Sequence, residues 1–178
     1  ILQVTEYSQF EDFVEAFEPT IATLADIVAP AYHERIGVRY INAVENAGTR
    51  MTELFRETVL SFTAEELGVE SLLTAQQVVG KTPRGQIVVR MNQVEDAPLL
   101  PPDLINIAIP GLARPRDGVH AILDIDGADT TPGEFGFAPI EERLWEIHNY
   151  TERAFWQSTT DVAHKEWGLI TASQGDSD

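Results

Sequence analysis

The chain has 178 residues, 43% of them hydrophobic and 23% charged, which suits a folded domain with a real core and argues against wholesale disorder. Its 29 acids against 12 bases give a formal net charge of −17, a field that repels phosphate backbones and anionic lipid surfaces, so neither nucleic acid nor membrane is expected as a partner. Cysteine is absent, which excludes disulfides, thiolate zinc sites and a cysteine nucleophile, and fits a cytoplasmic protein.

The opening Ile1-Leu2-Gln3-Val4-Thr5 reads as a strand that ends near Tyr7. It begins without a methionine, which predicts a further region before it. Ser8 is placed to N-cap a helix, with Glu11 at the capping-box position. Phe10, Phe13, Val14, Phe17, Ile21, Leu24 and Val28 then follow helical spacing. Pro19 falls inside that pattern and predicts a kink or two short helices, and Ala29-Pro30 ends it.

The next segment, His33-Glu34-Arg35-Ile36-Gly37-Val38-Arg39-Tyr40-Ile41-Asn42, reads as a strand running to about Val44. With a side-chain period of two, Arg35, Gly37, Arg39 and Ile41 face one way, and Ile36, Val38, Tyr40 and Asn42 the other. Two cations on one face of an apolar strand need a partner or a ligand. Met51 to Phe62 is predicted helical, with Leu54, Phe55, Val59 and Phe62 on one side, and Thr63 to Glu66 is a second capping box closed by Gly68. Leu72 to Val79 and Gln86 to Val94 form a predicted hairpin across Gly80-Lys81-Thr82-Pro83-Arg84-Gly85.

Residues 95–117 are Pro-rich and predict a long surface loop, with a short strand at Ile105 to Ile109. Val119 to Asp126 is a strand carrying Asp124 and Asp126 one period apart. Pro139 suits the first turn of a long final helix reaching Trp167, with a stripe of Ile140, Leu144, Ile147, Thr151, Ala154, Phe155, Ser158 and Val162. Trp145, Trp156 and Trp167 recur every three helical turns, so they are expected to share a face and to offer a second contact surface. Together these elements predict an α+β domain over residues 1–170, a mostly antiparallel sheet with helices on one face, and a mobile acidic tail at 171–178.

The candidate polar cluster is Arg35, Arg39, Asp124, Asp126 and His148. Its plain reading is a pair of neighbouring strands in which the arginines face the aspartates. Asp124 and Asp126 could instead hold a magnesium ion beside a phosphate, with Asp129 and Glu134 near, but no Gly-rich phosphate cradle accompanies them. The Asp-x-Asp-Gly at residues 124–127 looks like the nucleophile strand of haloacid-dehalogenase phosphotransferases, whose later elements have no room in the chain that follows. His148 sits beside the apolar stripe of the last helix, where a histidine is more often a satisfied boundary residue than a catalyst. His33 and His120 each precede a charged strand and would share one rim if those strands ran parallel.

In order along the chain, Tyr7 with Phe10 and Phe13, the segment from Arg35 to Asn42, Leu123-Asp124-Ile125-Asp126, Leu144 with His148, Ala154-Phe155, Thr159-Thr160-Asp161 and Trp167-Gly168 resemble a sporadically distributed bacterial family of uncharacterised proteins. Val38 stands where that family's strand has Leu, and Thr159 where its final helix has Ile. The resemblance implies a preceding N-terminal region and brings no activity with it. The expectation is therefore a non-enzymatic protein-interaction domain, cytoplasmic, without cofactor, with a protein partner or as a homo-oligomer. The alternatives are a metal- or nucleotide-dependent enzyme using Asp124 and Asp126, and a small-ligand binding domain.

Overall fold

A computed structural model describes residues 2–4, 9–60, 68–69, 73–107 and 113–169. The elements are α1 (Phe10–Val28), β1 (Tyr32–His33), β2 (Ile36–Val44), α2 (Met51–Leu54), β3 (Leu73–Lys81), β4 (Gly85–Glu95), β5 (Val119–Asp129), β6 (Gly133–Glu134), α3 (Phe137–Ser158) and α4 (Asp161–Glu166), with 3₁₀ turns at Gly48–Arg50, Glu57–Val59 and Pro102–Ile107. This is the expected α+β class: the sheets are antiparallel and α3 packs on the larger one. Four strands pair in the order β2-β5-β4-β3, and β1 and β6 form a separate ribbon.

β5 is an inner strand, and its burial says so. Ala121, Ile122, Leu123, Asp124 and Ile125 are at most 2% exposed, so both faces are covered where an outer strand would alternate. Asp124 is the one charged residue in that run.

The chain divides into two compact units, the first holding Ile1–Arg39, Val79–Val88 and Asp126–Glu152. In it, α1 buries Phe10, Val14 and Ile21. Pro19 does not split the helix into two, one of the two outcomes expected of it: α1 runs unbroken from Phe10 to Val28, with buried residues on both sides of the proline. Ser8 lies outside the described residues; Gln9 stands at the N-cap and makes no side-chain capping bond. Ala29 closes the helix in the left-handed region at φ 46, donating its N–H to Leu24 and Ala25. Gly127 lets α3 approach, since a Cβ there would lie 2.5 Å from Ile147 Cγ2.

The second unit holds Tyr40–Val78, Val89–Ile125 and Arg153–Asp178. Here α2 is only one turn long. Phe55, expected in the middle of a helix, turns extended and bridges Thr159, burying its ring to 1% exposure. The final helix stops at Ser158 for the same reason. Thr159 pairs with Phe55, and the Thr160 hydroxyl accepts from the Ala163 N–H to start α4. Trp167 therefore follows a separate helix and leaves the stripe on which its spacing placed it with Trp145 and Trp156. Trp145 packs edge-on to Phe10, whereas Trp156 packs edge-on to His164 and Trp167 lies near Phe55 and Phe155.

The strand expected at Ile105 to Ile109 is replaced through Ile107 by a 3₁₀ turn, the geometry Pro102 favours by fixing φ and removing a donor. Residues 2–4 form no strand. Thr5 to Tyr7, the capping box at residues 63–66 and the tail at 171–178 lie outside the described residues.

Candidate functional site

β2 places Arg35 just before its first residue, with Gly37 and Arg39 on the same face. The Arg35 guanidinium folds over Gly37, where a Cβ would lie 3.1 Å from its Nη1. From there it reaches Asp126 on β5 at 3.9 Å. Both groups keep solvent contact, 58% for Arg35, so this is a surface ion pair worth at most about 1 kcal/mol. Arg39 is half-buried on the same strand.

Asp124 is held differently, within the second unit. Arg90 Nη1 on β4 donates to Asp124 Oδ2 at 2.9 Å, and Arg90 Nε donates to Gln77 Oε1 on β3 at 3.0 Å. The Asp124 side chain is fully removed from solvent and that of Arg90 is 29% exposed. A guanidinium thus stands against the carboxylate that a metal would need. Among the described residues, no group of three or more His, Asp or Glu is placed to hold a metal ion.

His120 and His148 are each held by packed neighbours. His120 is fully buried; its Nδ1 accepts from the Asn46 N–H at 3.2 Å, so its Nε2 carries the proton and donates to Arg116 O at 2.9 Å. The antiparallel sheet removes the parallel pairing that would have brought His33 and His120 to one rim. His148 stacks on Phe10 with ring centroids 4.0 Å apart, and burial pushes its pKa below the ordinary range against the opposing pull of Glu152 and Glu11.

A second polar group, in the first unit, surrounds the β1–β6 ribbon, where His33 pairs with Gly133. Arg143 Nη1 donates to Asp129 Oδ2 at 3.1 Å and to Thr131 O at 2.6 Å. Gly133 gives this group room: a Cβ would lie 2.5 Å from Arg143 Nη2 and 2.8 Å from His33 Nε2. Neither ring nitrogen of His33 has a hydrogen-bond partner among the described residues.

Comparison with family models, with curated proteins and with solved structures finds no match. What the chain offers must therefore be read from its own surface.

The feature that sequence patterning missed is the exposure of β3. It ends the strand order β2-β5-β4-β3, and Leu73, Val78 and Val79 are 62%, 53% and 56% exposed. Alternation marked β3 as half of a hairpin, and alternation does not say whether a strand lies inside or at an edge. Arg90 was missed likewise, because the hairpin pattern rests on Ile87, Val89 and Met91, which face the other way. The described helices include none long and apolar enough to cross a membrane.

Proposed function

We propose that this chain is a protein-interaction domain that binds through β3, the last strand of its sheet among the described residues. The supporting observation is that edge itself. Nine residues of strand end the sheet among the described residues, with three large aliphatic side chains exposed. Edges are ordinarily blunted by proline, inward-pointing charge, bulges or a covering element, because unpaired N–H and C=O groups recruit further strands. β3 has no proline, and its one charge is Lys81 at the end. Strand addition fits such an edge, with main-chain bonds supplying affinity and alternate side chains supplying selectivity. Arg90 and Arg143 already neutralise the buried Asp124 and Asp129, which supports a structural role for these carboxylates over metal-assisted chemistry. We place the domain in the cytoplasm, on its lack of cysteine, and with the bacterial family that its β2 and β5 segments resemble.

The test is selection of extended peptides on the immobilised chain, followed by hydrogen exchange. Bound peptides are expected to slow exchange of β3 amides and to be lost on Val78→Lys. Peptides that bind with no change in β3 exchange, or no binding at all, would overturn the reading.

A further inference from the structure

We propose that the β1–β6 ribbon is a pH-operated latch, closed over neutral His33 and opened when that ring takes a proton. The ribbon lies wholly in the first compact unit and is a sheet of its own, separate from the one that β3 ends.

Its place in the chain makes it a tie. β1 sits in the connection from α1 to β2, and β6 in that from β5 to α3. The pairing is short: Tyr32 with Glu134 and His33 with Gly133, extended by one bond from the Phe135 N–H to Ala31 O at 3.4 Å. A two-stranded ribbon is marginal by itself, so a small change in free energy opens this one while longer ladders stay shut.

His33 supplies that change. Both its ring nitrogens are shut off from solvent and have no hydrogen-bond partner among the described residues. A neutral imidazole there forgoes one donor and one acceptor contact; an imidazolium strands two N–H donors and a charge. The neighbours widen the difference. On α3, Arg143 brings a largely buried guanidinium, and its Nη2 and the His33 Nε2 both crowd Gly133, at 2.5 and 2.8 Å from where a Cβ would stand. On β5, Asp129 is the opposing anion, but its Oδ2 already accepts from Arg143 and its Oδ1 from the Thr131 N–H at 2.7 Å. Glu134 on β6 stands opposite Tyr32, so alternation turns it to the other face of the ribbon from His33. Burial and Arg143 together hold the imidazole below its ordinary range. Opening the ribbon returns water to the ring and removes that penalty, so protonation favours the open form.

Hydrogen exchange of the full chain, read amide by amide by NMR and corrected for the intrinsic pH dependence of exchange, tests this between about pH 7 and pH 5. Protection of the ribbon amides and of Phe135 is expected to fall below about pH 6.5, by up to roughly tenfold per pH unit, while β5 amides keep theirs. His33→Phe keeps a ring and takes no proton, so its ribbon protection is expected to be flat. Ribbon protection that does not change with pH, or that falls equally in His33→Phe, overturns the latch. Loss of ribbon and β5 protection together overturns it as well, because the unit then unfolds as a whole. Should His33→Phe not fold, titration of the wild-type His33 ring by proton NMR decides: a midpoint at or above about pH 6.5 removes the force that opens the latch, and a lower midpoint that tracks the onset of ribbon exchange upholds it.

Discussion

Arg90 donates to Asp124 at 2.9 Å from one strand to the next, and the carboxylate that receives it has no exposure to solvent. A buried carboxylate is tolerated only where cationic and polar partners replace its hydration. Arg90→Leu removes the guanidinium and leaves the charge. The expected loss is about 3 kcal/mol in urea unfolding, at the low end for a buried pair because Arg90 is partly exposed. Arg90→Leu with Asp124→Leu removes both charges and is expected to recover much of that loss. A single variant within about 0.5 kcal/mol of wild type would show that the pair is not what holds Asp124.

The contact between β5 and α3 allows a sharper test of packing. A Cβ on Gly127 would lie 2.5 Å from Ile147 Cγ2 and 2.9 Å from Thr151 Cγ2, both on a helix that cannot yield locally. Gly127→Ala is expected to cost at least 1–3 kcal/mol, roughly the range for overpacking a tight core. Gly136→Ala is the control, because its Cβ would meet Pro139 at an ordinary 3.6 Å. Equal thermal midpoints for the two variants would refute the close approach.

These relationships differ in how far the sequence exposes them. The apolar run at 121–125 and the alternation either side of Gly80 to Gly85 are local, so β5 and the β3–β4 hairpin are legible from patterning alone. The expected facing of Arg35 and the Asp strand is met at Asp126, because the strand period places both and β2 adjoins β5. Phe55 is not legible. Its spacing suits a helix, and only the bridge to Thr159, distant in sequence, makes it extended. The Thr159-Thr160-Asp161 break carried a local sign, a threonine and an acid at a helix start, which the continuing apolar stripe concealed. The partner of Asp124 was beyond reach, since nothing in a single sequence says which strand lies on the far side of β5.

The histidines give the molecule a pH dependence whose sign follows from their surroundings. His33, His148 and His164 are each held below the ordinary imidazole range, first by burial. Arg143 adds to the effect at His33 and Asp129 opposes it, while Arg56 adds at His164 against Asp161. Protonated His33 would also carry two N–H groups without an acceptor among the described residues. The unfolded chain takes up these protons near pH 6.5, and the folded chain resists until lower pH. Between those points the unfolded state binds more protons, so the histidine contribution is fully present above about pH 6.5 and is lost as pH falls through the folded values. Urea unfolding free energies are therefore expected to drop between about pH 7 and pH 5, before most carboxylates titrate. His148→Phe keeps an aromatic ring against Phe10 and deletes one titration, so its profile is expected to be flatter than that of wild type over the same window. A stability that is constant or rises on acidification across that window would mean that burial does not govern these three rings.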